Sequence, residues 1–106
     1  MNVISMASVV VGAALLAGAG AHAQDAAVLQ LRSLAATCAN CHGTDGRAID
    51  GSGVPGLAAL PAPYLVEQMK AFKAGARTAT VMHQIAKGYS DAQIEQLAGF
   101  FAAQKK

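Results

Sequence analysis

Only two cysteines, Cys38 and Cys41, occur in the chain, and they form one close pair. A structural zinc site takes four ligands, usually two well-separated pairs. Here there is one pair, and His83 is the only distant imidazole outside the N-terminal leader, so such a site is excluded. The flanks of the pair are not strand-rich, which removes the βαβ setting of a thioredoxin-like redox pair. A concentrated basic patch is missing too, and with it a nucleic-acid interface. Lys70, Lys73 and Arg77 form a small cluster that reads as a solvated helix face.

No Lys, Arg, Asp or Glu occurs before Asp25. Val9 to Gly20 is a run of apolar and small residues that ends in Ala21-His22-Ala23, an A-x-A cleavage pattern. The run is too short for a membrane span. It departs from the usual export signal in having no basic residue between Met1 and Met6. Residues 1–23 are therefore expected to be a cleaved secretory signal, and residues 24–106 one domain without a membrane span. The expected compartment is the bacterial periplasm. A domain of this size buries little core by itself.

What is present is Cys38-Ala39-Asn40-Cys41-His42. This is the C-x-x-C-H pattern of covalent c-type haem attachment. Two thiols add across the two vinyl groups of one haem, and the adjacent imidazole reaches the iron. An apolar porphyrin also supplies the core that so short a chain lacks. The formal charge of +2 is largely cancelled by two haem propionates. No second C-x-x-C-H is present, so one haem c is expected.

Three helical segments can be read, which places the chain in the all-α class. The first runs from about Asp25 to Cys38, with Val28, Leu31, Leu34 and Cys38 on one stripe. From Gly43 to Pro63 glycines and prolines punctuate the chain without periodicity, as a long loop wrapping a haem edge requires. The second helix is expected over Ala62 to Ala74, with Pro63 in its first turn and Gly75 at its stop. The third starts after Ser90, where Ser90-Asp91-Ala92-Gln93 reads as a capping box. Ile94, Leu97, Ala98 and Phe101 make its apolar stripe.

His42 is the proximal ligand. The other side of the iron takes Met82, His83 or Met69, or stays open. Met69 sits on the apolar stripe of the second helix with Leu65 and Phe72, where a core role explains it. Met82 lies in an expected loop between helices and is the preferred ligand, since Met/His ligation raises the reduction potential as an electron carrier requires. His83 reads as solvent-exposed or bonded to a propionate.

This arrangement resembles the small class I cytochromes c. The resemblance implies Cys38 and Cys41 as thioether attachments, His42 and Met82 as axial ligands, and Pro55 as the residue whose carbonyl accepts a hydrogen bond from the proximal imidazole. It also implies that Phe100 packs the last helix on the first. The family often places Gly in the first helix at that crossing. Here Asp25 to Cys38 contains none, which leaves a wider crossing or one displaced toward Ala27 or Ala35.

Tyr64-Leu65-Val66-Glu67-Gln68-Met69-Lys70-Ala71-Phe72 and Ala79-Thr80-Val81-Met82-His83-Gln84-Ile85-Ala86-Lys87-Gly88-Tyr89 are similar to the cytochrome subunit of flavocytochrome c sulfide dehydrogenase. That resemblance implies docking on a flavoprotein that oxidises sulfide, with electrons passing through the haem to a downstream acceptor. On this reading the chain is no enzyme on its own. Two alternatives stand beside it. One is a freely diffusing cytochrome c with other redox partner proteins, a respiratory oxidase or reductase. The other is a haem sensor or peroxidase-like protein with an open distal site.

Overall fold

The computed structural model describes residues 22–106. The expected export signal falls on residues 1–23 and lies, except for its last two residues, outside the described residues. Among the described residues there are helices and turns and no strand. None of these helices is long and apolar enough to cross a membrane.

Residues 22–36 are helical (α1). The chain divides between Arg32 and Ser33, so only the last turn of α1 belongs to the compact unit Ser33–Lys106. The elements of that unit follow in order. They are α2 (Ala39–His42), a 3₁₀ turn (Thr44–Gly46), α3 (Ala62–Ala74), α4 (Met82–Lys87) and α5 (Asp91–Ala102).

The local chemistry explains most of these boundaries. In α3, Pro63 stands in the first turn, where its missing N–H costs nothing. Gly75 ends the helix in the left-handed region at φ 75°, and its N–H returns to Phe72 O. In α5, Gln93 N donates to Ser90 Oγ at 3.1 Å and Ser90 N donates to Gln93 Oε1 at 2.9 Å, completing the capping box. All four residues of the expected α5 stripe, Ile94, Leu97, Ala98 and Phe101, are buried.

The core joins Ala35, Leu65, Leu97, Ala98 and Phe101. Ala35 is the residue of α1 that is buried in this cluster. The aromatic role expected of Phe100 is divided. Phe101 is buried beside Ala35 in the core, and Phe100 lies half-buried against the same cluster, edge-on to Phe101 with ring centroids 5.2 Å apart.

Lys70 and Lys73 of α3 and Arg77 just beyond its end do not make a free basic patch. Lys70 lies 3.8 Å from Glu95 of α5, an exposed pair worth under about 1 kcal/mol. Lys73 reaches Asp91 Oδ1 at 3.1 Å, and Arg77 sits over the Phe72 ring at 4.6 Å. Arg47 pairs with Asp45 at 3.4 Å.

One expectation is corrected here. Met82 and the residues after it form a helix, α4, where a loop was expected. Six residues are too few to show a period, and no side chain caps the start. The carbonyl of Val81 does that work instead, accepting from Gln84 N at 3.0 Å and Ile85 N at 3.1 Å.

Candidate functional site: the attachment pair and its braced imidazole

Residues 37–38 form a turn after α1, and α2 follows at once. One short helix therefore presents Ala39, Asn40, Cys41 and His42, with Cys38 at its N-cap. Neither cysteine is in a disulfide. Cys41 is exposed and borders an open cleft of about 370 Å³ that the turn from Ile49 to Ser52 also lines. Cys38 is half-buried against the core cluster. Burial pushes its thiol above the usual cysteine range, while a hydrogen bond from the Thr37 side chain pulls the other way.

His42 is the one buried polar residue among the described residues, 9% exposed. Its Nδ1 stands 2.6 Å from the carbonyl oxygen of Pro55. A carbonyl only accepts, so Nδ1 carries a proton, and in the neutral ring the lone pair is then on Nε2. That is the tautomer of a ligand imidazole, with the ring orientation fixed by the second partner. The structure thus brings His42 and Pro55 together as the resemblance implied.

The Pro55 carbonyl is held by a tight backbone turn. Gly46 O accepts from Leu57 N at 2.8 Å and from Ala58 N at 3.1 Å, and Ala59 N donates to Phe101 O at 3.0 Å. These bonds tie the segment after Pro55 both to the 3₁₀ turn after His42 and to α5. The turn depends on Gly43, which has φ 83° and lies against the Arg47 carbonyl. A Cβ there would stand 1.8 Å from Arg47 O. Gly43→Ala is expected to lose about 3 kcal/mol in urea unfolding. Gly51→Ala also puts a side chain at positive φ, 79°, but meets nothing within 4 Å. It is expected to lose only about 1 kcal/mol.

Met82 is carried by a different element. It is half-buried as the first residue of α4, which packs against α3. Met69, on α3, is also half-buried. His83 departs from the solvent-exposed reading. Its Nδ1 is buried, the residue as a whole is half-buried, and no hydrogen-bond partner reaches that atom. Among the described residues no three His, Cys, Asp or Glu side chains cluster to hold a bare metal ion.

The residues fit a covalently held haem. Two unpaired thiols stand at the right spacing, and the adjacent imidazole is proton-locked on the nitrogen that faces away from a ligand role. Sequence reasoning missed the parts that hold this arrangement in place, namely Gly43, the Gly46 carbonyl, and Thr37 with Tyr89. Only the glycines left a sequence signal, their density between residues 43 and 56.

The chain was compared with known proteins. The thiosulfate dehydrogenase electron acceptor of Thiomonas intermedia is 42% identical over 71 residues, covering 67% of this chain and 33% of that protein. The cytochrome subunit of sulfide dehydrogenase of Chlorobaculum tepidum is 40% identical over 68 residues, covering 64% of this chain and 60% of that protein. The chain thus spans a third of the first relative and three fifths of the second. Among solved structures, cytochrome c4 of Acidithiobacillus ferrooxidans matches with a TM-score of 0.59 at 35% identity, over 62% of this chain and 37% of that one. The cytochrome c family model covers residues 32–104, from just before the cysteine pair to just past α5. A match of that extent, over an all-helical fold, shows that the chain belongs to the cytochrome c family.

Proposed function

We infer that this chain passes single electrons in the oxidation of reduced sulfur compounds, as the cytochrome subunit of a flavocytochrome c sulfide dehydrogenase. The cofactor is a covalently bound haem c, which when bound supplies a one-electron ferric/ferrous couple. Cys38 and Cys41 hold it, His42 is the proximal ligand and Met82 the distal one. The protein works in the periplasm after loss of residues 1–23.

The observation that carries the electron-transfer reading is the 2.6 Å contact between His42 Nδ1 and Pro55 O. It locks the ligand ring against rotation and against a tautomer change. The pair therefore behaves alike in both oxidation states, and little has to move when an electron passes. The narrower reading is supported by the name of the Chlorobaculum tepidum relative and by the stretches around Tyr64 and Met82. The partner is then a flavoprotein subunit that takes electrons from sulfide.

A second reading has its own support. Thiosulfate dehydrogenase electron acceptors of Thiomonas intermedia and Stutzerimonas stutzeri are 42% and 36% identical to this chain over 71 and 69 residues. On that reading the chain is a diffusing acceptor for another dehydrogenase, which depends on charge steering and shows salt-dependent rates.

Gentle purification of the haem protein from its native source separates the two. A subunit co-elutes with flavin, and sulfide reduces its haem without an added protein. Haem that elutes without flavin and stays oxidised with sulfide overturns the subunit reading in favour of the diffusing acceptor.

A further inference from the structure

Tyr89 is gripped at both ends. Its hydroxyl lies 2.8 Å from Thr37 Oγ1, across 52 residues of sequence. Its backbone carbonyl accepts from Lys73 Nζ at 2.6 Å. The ring between them is half-buried against the core cluster. Each partner is itself anchored. Thr37 Oγ1 also bonds Leu34 O at 2.7 Å, and Lys73 reaches Asp91 at 3.1 Å.

The placement of these residues gives the contact its consequence. Thr37 directly precedes Cys38, the first haem-attachment residue. Tyr89 follows α4 by two positions, and α4 begins with Met82. α4 is short, has no side-chain cap at its start, and ends at Gly88 on bonds from its own last turn. Such a helix does not hold its position by itself. The Tyr89 side chain and carbonyl supply polar ties that fix its C-terminal end to the segment before Cys38 and to α3.

We propose that the Thr37–Tyr89 hydrogen bond, with Lys73 behind it, is a latch that keeps the Met82 segment closed on the haem-attachment segment. Thr37 and Tyr89 are positioning residues that act through Met82. The proposal rests on the reading of Met82 as distal ligand. It gives the latch a measurable output. An outside ligand binds only when Met82 has swung away, so its apparent affinity scales with the open fraction. Weakening the latch raises that fraction without touching either axial ligand.

The test uses the full haem-loaded chain, with imidazole as the outside ligand and the far-red methionine–iron band of the ferric protein as the signal. Tyr89→Phe keeps the ring and loses the hydroxyl bond. It is expected to bind imidazole about threefold more tightly, and Tyr89→Phe with Lys73→Met about tenfold more tightly. Thr37→Val matches Tyr89→Phe, the double variant Thr37→Val with Tyr89→Phe adds nothing further, and Thr37→Ser restores the wild-type affinity. Ile94→Val, a change at a fully buried α5 side chain outside the cluster on which the Tyr89 ring packs, lowers global stability and leaves the imidazole affinity unchanged. A present band with unchanged imidazole affinity in Tyr89→Phe overturns the latch alone. A shift in Ile94→Val equal to that in Tyr89→Phe also overturns it, since the effect is then general destabilisation. Absence of the band in the wild-type protein overturns the Met82 reading first, and the latch with it.

Discussion

Cys38→Ala combined with Cys41→Ala leaves no haem on the polypeptide after denaturing electrophoresis, whereas the parent chain keeps its pigment. The two thiols are the only cysteines in the chain, so no other sulfur can form a thioether. Each single variant keeps one link, and its reduced pyridine complex absorbs at longer wavelength because one vinyl group stays conjugated. The two single variants differ in stability. Cys38 is half-buried against the core, while Cys41 is exposed. Cys38→Ala therefore removes packing as well as a tether and unfolds at lower urea than Cys41→Ala. The double variant loses more than both, because so short a domain depends on the haem for much of its apolar interior. Pigment retained by the double variant in denaturant would rule out attachment at these residues.

Met82→Ala is expected to abolish the far-red band of the ferric protein and to lower the reduction potential by on the order of 0.2 V, a quarter of the about 0.8 V that axial ligation spans. A thioether stabilises ferrous iron, and water or an imidazole in its place does not. His83 stands next along the same short helix with a buried, unpartnered Nδ1, which makes it the discriminating control. His83→Ala keeps the band if Met82 is the ligand. If the band and the potential survive Met82→Ala, the distal ligand is another residue. A band-free but still six-coordinate, low-spin spectrum of Met82→Ala would point to His83 taking over the iron, which Met82→Ala with His83→Ala then removes. The same Met82→Ala protein opens the distal side to imidazole, and the parent protein does so only through the latch around Tyr89.

Elements marked by residues with one strong conformational preference were legible in the sequence. α3 ends where Pro63 and Gly75 say it must, and α5 starts at the Ser90–Gln93 box. The stripe of α5 was legible because helical spacing alone selects the four residues that are buried. Cys38, Cys41 and His42 were legible because chemistry dictates their spacing. Pro55 was reached through resemblance, and its hydrogen bond gives that residue a geometric role.

What escaped has physical causes as well. α4 is too short for a period and is capped by a backbone carbonyl, which carries no residue code. Asp45 and Ala59 adopt positive φ, 53° and 62°, which favours glycine and so is not expected of either. α1 stops at residue 36, earlier than the stripe through Cys38 implied, because Thr37 turns its hydroxyl back to Leu34 O. The bond from Thr37 to Tyr89 joins residues far apart in sequence whose types have many other uses. Nothing local marks either as a partner.

The most direct test of the account is tryptic mapping of the haem protein. Cleavage after Arg32 and Arg47 releases the single peptide Ser33–Arg47, which contains Cys38, Cys41 and His42. This peptide is expected to carry one haem through two thioether bonds, with every other peptide free of it. Recovery of Ser33–Arg47 with both thiols free, from protein that was coloured before digestion, would contradict it.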